Sequence, residues 1–201
     1  MRQQAIPATF MRGGTSKGLM LLADDLPVDI AAQDAILLAA MGTPDPYGRQ
    51  LDGMGGGLSS LSKACIVSRS SRPDADIDFC FLQIGVRERR VDRRGNCGNM
   101  SAAVGPFAVD QGLVAAGSGE ATVRIFNSNT GKMIHARFPV EDGAPRYDGD
   151  LAIPGVAGTG APIRLDFIEP GGASTGRLLP TGLTTQRIDG IAVSLVDAAN
   201  A

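Results

Sequence analysis

The chain contains no tryptophan, and only 4% of its 201 residues are aromatic. A surface that stacks nucleic-acid bases is built from such rings, so their scarcity argues against one. Neither charge is in excess. The 19 Lys and Arg residues face 21 Asp and Glu, for a formal net charge of -2, which supplies no global attraction to nucleic acid or to an anionic membrane. No apolar run approaches the ~20 residues needed to span a bilayer, and residues 1–7 lack the apolar core of a signal peptide. Histidine occurs once, as His135, and cysteine three times, as Cys65, Cys80 and Cys97, with no CxxC pair. That pattern gives neither a disulfide framework nor a zinc site and suits a reducing, cytoplasmic setting. The expected partner is a small molecule, with no nucleic acid and no membrane, and a homo-oligomer stays open.

What is abundant is glycine, 27 residues in all, which implies many turns and close backbone approaches. The most informative stretch is Asn96-Cys97-Gly98-Asn99-Met100, between a strand-like run at 77–91, read as one long strand or a hairpin, and a helix-like run at 100–112. It puts a thiol at or just before a helix N-terminus. Free N–H groups and the positive end of the helix dipole stabilise a thiolate there, and the same groups can hold a carboxylate or a developing oxyanion. A cysteine packed in a turn is the plainer alternative.

Residues 5–11 read as a first strand and 19–22 as a second, joined by the loop Arg12-Gly13-Gly14-Thr15-Ser16-Lys17-Gly18. Either this is a solvated hairpin tip or its small residues let backbone N–H groups reach an anion; the spacing of a Walker loop is missing. A mostly apolar helix is expected over 30–41, with Asp29 as N-cap and Gly42 as terminator. Gly53-Met54-Gly55-Gly56-Gly57 then leads into a strand beginning at Lys63, an arrangement expected to lie close to a ligand. Cys65 and Cys80 fall inside strands and read as core residues. The helix after Cys97 contains Pro106, which predicts a kink or a restart. Strands at 121–126 and 132–139 flank Asn127-Ser128-Asn129-Thr130-Gly131, a hairpin signal; His135 sits inside the second of these strands, an ordinary structural place. Further strands are expected at 163–168 and 187–195. Strand pairs with two helices, without regular alternation, indicate an α+β fold with mostly antiparallel pairing.

Taken together, MRGGTSKG (11–18), DGMGG (52–56), SLSK (60–63), NCGN (96–99), AAVGPFAVDQGLV (102–114), NSNTGK (127–132), PGVAGTGAPI (154–163), PGGA (170–173) and LLPTG (178–182) resemble the 2-methylaconitate cis–trans isomerase and 4-oxalomesaconate tautomerase family. The motifs run in order along nearly the whole chain. The resemblance implies a diaminopimelate-epimerase-like half, a curved, mostly antiparallel sheet wrapped around the central helix that begins near Cys97. It further implies two similar halves with the active site between them: residues 1–185 as the N-terminal domain, and 186–201 as the start of a second.

The activity it implies is an isomerase that moves or rotates a C=C bond in a small unsaturated tricarboxylate of the 2-methylaconitate kind, with no metal or organic cofactor. Lys63 and Cys97 are the implied proton-transferring pair. Loss of solvation in a glycine-lined cleft is what equips a lysine to act as a base. Arg12, Thr15, Ser16, Lys17, Ser62, Gly98, Asn99 and Met100 are the implied substrate-binding residues. A 4-oxalomesaconate-type tautomerase, an amino-acid epimerase on the same fold, and an inactive half that only binds carboxylates are the alternatives.

Overall fold

The computed structural model describes residues 4–199. Along the chain come β1 (Thr9–Gly13), β2 (Ser16–Leu22), α1 (Ile30–Met41), β3 (Lys63–Arg69), β4 (Ile77–Ile84), β5 (Val91–Asp92), α2 (Gly98–Asp110), β6 (Gly119–Asn127), β7 (Lys132–Glu141), β8 (Ala144–Pro145), β9 (Arg164–Ile168), β10 (Gln186–Ile188) and β11 (Ile191–Val193). One sheet runs in the order β1-β2-β3-β4-β6-β7-β8, with β5 attached to β4 and β9 to β7. Most pairs are antiparallel, but β2–β3 and β4–β6 are parallel. A parallel pair needs a long crossover. Here the two crossovers carry α1 and α2, and each helix covers a different face of the sheet.

α2 is helical because Met100, Ala103, Val104, Phe107 and Ala108 recur at helical spacing, and all are buried. They pack on Met20 of β2, Cys65 and Val67 of β3, Phe79 and Phe81 of β4, Val123 and Ile125 of β6, and Ile134 and Phe138 of β7. Gly105 permits this approach, since a Cβ there would lie 3.0 Å from Ala136 Cβ and 2.7 Å from the Phe138 ring. On the other face, Leu37, Leu38 and Met41 of α1 pack on Leu19, Leu21, Ala64, Leu82 and Ile84. Alternate residues of one strand thus serve two cores, which is why β2, β3 and β4 read as nearly continuous apolar runs.

α1 begins where expected, with Ala32 N donating to Asp29 Oδ2 at 2.8 Å, and ends at Gly42 in the left-handed region. Several expectations change. The β1–β2 hairpin turns tightly at Gly14 and Thr15, with Gly13 already paired to Ser16. Of the two forms open to the run at 77–91, it takes the hairpin, β4 folding back as β5. α2 starts at Gly98 and continues unbroken through Pro106. Cys80 is only half-buried. The last segment is an antiparallel hairpin, β10–β11, rather than one strand. That hairpin is rooted through Asp197, which is fully buried. Its Oδ2 accepts from Ser174 N (2.8 Å), Thr175 N (2.6 Å) and Thr175 Oγ1 (2.8 Å), and its backbone bonds to Gly172 and Leu178.

Candidate active site

Register sets Met11 beside Gly18, and Lys63 beside Gln83 and Gln83 beside Asp92, while Gly18 lies against the Lys63 backbone. Alternation points Lys63 and Gln83 to the same face as Cys65 and Phe81, the face covered by α2. Lys63 is 7% exposed. Its Nζ donates to Gln83 Oε1 at 2.6 Å and lies 4.9 Å from the centre of the Phe81 ring. Among the described residues no carboxylate comes within ion-pairing distance of it. A buried ammonium held by a neutral amide and a ring face keeps its charge uncompensated, which is costly unless an anion joins it.

Cys97 is the N-cap position of α2, with extended backbone (φ -125°, ψ 100°) and no side chain capping the helix. The first helical bond is Ser101 N to Cys97 O, at 2.9 Å. The N–H groups of Gly98, Asn99 and Met100 therefore form the open first turn. Cys97 itself is half-buried at the edge of the α2 core. Its loop is braced by asparagines. Asn96 Oδ1 accepts from Cys97 N at 2.7 Å and from the buried Asn127 Nδ2 at 2.9 Å. Asn129 Nδ2 donates to Arg93 O (2.6 Å) and Phe81 O (2.8 Å), while Asn129 Oδ1 accepts from Phe81 N (2.7 Å).

The β6–β7 turn thus fastens the Cys97 loop to the strand whose Phe81 ring lies against Lys63. Both groups act on Cys65, two residues along β3: burial pushes its thiol well up, Cys97 pushes it further, and Lys63 opposes. Next to them an open cavity of about 780 Å³ is lined by Phe81, Gln83, Asp92, Arg93, Arg94 and Asn129. Arg94 holds the Asp92 carboxyl far below the usual carboxylate range, and Arg93 pairs with Asp34 at 2.6 Å.

The hairpin tip supplies part of what the sequence suggests. Thr15 Oγ1 accepts from Asn99 Nδ2 at 3.0 Å, and Ser16 is buried beside it. Gly13 lies so close to α2 that a Cβ would come within 2.9 Å of Met100 Cα. The hairpin tip, through Gly13 and Thr15, therefore meets Asn99 and Met100 in the first turn of α2. Arg12 and Lys17 do not join them. With a turn of only Gly14 and Thr15, they form a cross-strand pair on the opposite face of the hairpin. Lys17 Nζ lies 5.3 Å from the centre of the Phe10 ring, and Arg12 donates to Gly14 O at 2.6 Å.

Ser62 is fully buried, its Oγ accepting from Gln50 Nε2 at 2.8 Å, and the Met100 side chain lies in the core. The glycine-rich loop at 53–57, expected beside a ligand, instead serves close packing: Gly53 sits against Met41 and Gly42, and Gly55 against the Gln50 amide. The sequence reading missed Gln83, Gln50, Asn127 and Asn129. The turn signal marked Asn127 and Asn129, but not what they brace.

Among the described residues no group of three or more His, Cys, Asp and Glu could hold a metal ion, and no helix is long and apolar enough to cross a membrane. The arrangement offers an amine and a thiol as proton carriers, beside a helix N-terminus able to stabilise an oxyanion.

The chain is similar to several known proteins. The chain is 50% identical over 191 residues to a (4E)-oxalomesaconate Delta-isomerase of Novosphingobium sp. (strain KA1), covering 95% of this chain and 53% of that protein. It is 44% identical over 207 residues to a 2-methyl-aconitate isomerase of Cupriavidus necator, covering 98% and 52%. The chain spans about half the length of the relatives it matches. The crystal structure of a methylitaconate-delta-isomerase superposes with a TM-score of 0.85 at 45% identity, covering 96% of this chain and 50% of that one. The model of one family, described as PrpF protein, matches residues 3–201.

Proposed function

The chain belongs to the PrpF protein family, and from that membership we propose that it serves an isomerase that moves or rotates a carbon–carbon double bond in a small unsaturated tricarboxylate of the 2-methylaconitate kind. The observation that carries this reading is Lys63, a buried amine without a carboxylate partner among the described residues, on the same face as the Cys97-capped end of α2. With no carboxylate of the described residues beside it, this amine is left for an anionic substrate.

In the proposed reaction Lys63, as the free amine, takes a proton from the carbon next to the alkene. The C–H electron pair delocalises through the alkene into a carboxylate. The former double bond becomes single, so the intermediate can rotate, or can be protonated at the far allylic carbon. Return of a proton, with Cys97 as the assisting acid, restores one double bond. The Gly98, Asn99 and Met100 N–H groups stabilise the oxyanion, and Thr15 and Ser16 hold a second carboxylate. Arg12, Lys17 and Ser62, which point or bond elsewhere, take no direct part in this version of the site. Residues 1–185 form the domain that carries these groups, and 186–201 belong with a second.

Incubation with 2-methylaconitate in D₂O, followed by proton NMR, tests the reading. Isomerisation accompanied by deuterium entry at the allylic carbon is expected, falling by about 10²–10⁴-fold in Lys63→Ala and in Cys97→Ser. Full turnover by the double variant would sink the assignment. Faster turnover of 4-oxalomesaconate would favour the tautomerase, a reading the 50% identity to an oxalomesaconate isomerase supports. Binding without deuterium entry would favour a carboxylate-binding role.

A further inference from the structure

We propose that Gln83 is the positioning residue for Lys63: it pins one N–H of the lysine while leaving its charge unneutralised. The inference rests on the reading that Lys63 moves the proton. Gln83 lies directly across the antiparallel β3–β4 pair from Lys63. Its amide is bound at both ends. Nε2 donates to Ser59 O at 3.0 Å and to Ser62 O at 2.9 Å, and Oε1 accepts from Lys63 Nζ at 2.6 Å. Carbonyl oxygens only accept, so the two main-chain carbonyls fix which end of the amide faces them. The oxygen must then face the lysine.

Those carbonyls belong to the turn immediately before Lys63, so a single side chain grips both the lysine's backbone approach and its tip. Gln50 fastens the same turn from behind, through Thr43 Oγ1 at 2.9 Å and Ser62 Oγ at 2.8 Å.

The chemistry explains why an amide suits this place. A neutral carbonyl accepts from –NH₃⁺ and from –NH₂ alike, so the amine keeps its position through the whole proton transfer. A carboxylate there would hold the proton on the lysine and compete with the anionic substrate. The other titratable groups near Lys63 leave this role to Gln83. On its own face they are Cys65 on β3, Cys97 at the α2 N-terminus, and Asp92 on β5, which is already engaged by Arg94. Asp24 and Asp25, in the turn packed on β3, follow Leu22, which is paired with Val67 at the far end of the strand. The neighbouring β2 brings Ser16 and Gly18, which do not titrate in this range.

The test compares Gln83→Glu and Gln83→Met by pH–rate profile, with Lys63→Ala as reference. In Gln83→Glu the limb of the profile set by Lys63 should move to higher pH by about one unit or more. In Gln83→Met kcat should fall by about 10-fold or more with a smaller change in KM. In the unmodified protein both Gln83 side-chain amide protons should exchange with solvent far more slowly than those of a free amide. An unmoved limb in Gln83→Glu together with wild-type kcat in Gln83→Met overturns the proposal, as does free-amide exchange in the unmodified protein. If instead Lys63→Ala keeps full activity, the role given to Lys63 fails, whatever the Gln83 variants do.

Discussion

Gly18 lies against Lys63 across the parallel β2–β3 pair, and a Cβ at Gly18 would come within 2.8 Å of the Lys63 carbonyl carbon. The backbone of a catalytic candidate thus occupies the place of its neighbour's missing side chain. Gly18→Ala should force the two strands apart and destabilise the fold by about 1–3 kcal/mol. Turnover should fall further than the loss of folded protein explains. Chemical denaturation alongside kcat on the folded fraction checks both parts.

Lys63 itself should show opposite effects on stability and function. Replacing a buried, unpaired ammonium by a methionine of similar length removes a desolvation cost. Lys63→Met should therefore melt at the same temperature as the parent or higher, while turnover disappears. An unsaturated tricarboxylate at about 100 times its Kd should stabilise the parent by about 2.7 kcal/mol and the variant by much less. Thermal melts with and without ligand decide it.

Asn127 braces the Cys97 loop from the β6–β7 turn. It is buried, donates to Asn96 Oδ1, and accepts from Thr130 N and Oγ1 at 3.0 Å each. Asn127→Ala leaves those partners short of a hydrogen bond, at a cost of about 1–3 kcal/mol. Because the loop carries Cys97, the rate of Cys97 alkylation should change as well, whereas that of the fully buried Cys65 should not. Mass-resolved alkylation separates the two thiols.

Far from the site, Asp76 and Arg124 tie the turn before β4 to β6. Hydrogen bonds from the Arg124 side chain, together with its charge and backbone N–H, hold the Asp76 carboxyl below its ordinary value. A carboxyl lowered in the folded state contributes stability that is complete above the unfolded value of about 3.9 and is lost as pH falls through the folded value. The urea midpoint of Arg124→Met should therefore lie below that of the parent at pH 6, and the gap should shrink below pH 4. A gap independent of pH would remove the ion pair from the explanation.

Local signals carried much of the architecture. Asp29 and Gly42 bound α1 because capping is a property of a few adjacent residues, and Cys97 announced a helix start for the same reason. Pro106 misled, since packing by Phe107 and Val104 keeps one helix where the proline alone suggests a break. The faces of Arg12 and Lys17 depend on where the hairpin turns. A loop spanning 12–18 would present both at its tip, whereas a turn at Gly14 and Thr15 sets Lys17 in phase with Leu19. Gln83 was out of reach for a deeper reason. It meets Lys63 through the register between β3 and β4, which no short stretch of sequence states. The glycines at 53–57 were conspicuous, but their partners, Gly42 and Gln50, are fixed only once the loop folds back on the end of α1.

The root of the β10–β11 hairpin has a practical corollary. Because Asp197 is clasped by Ser174, Thr175, Gly172 and Leu178, the excursion between Leu178 and Asp197 leaves and rejoins the body at one place. A protease that nicks the exposed stretch around Leu183 would sever the chain without freeing either piece. The two fragments would travel together through a sizing column and part only in denaturant.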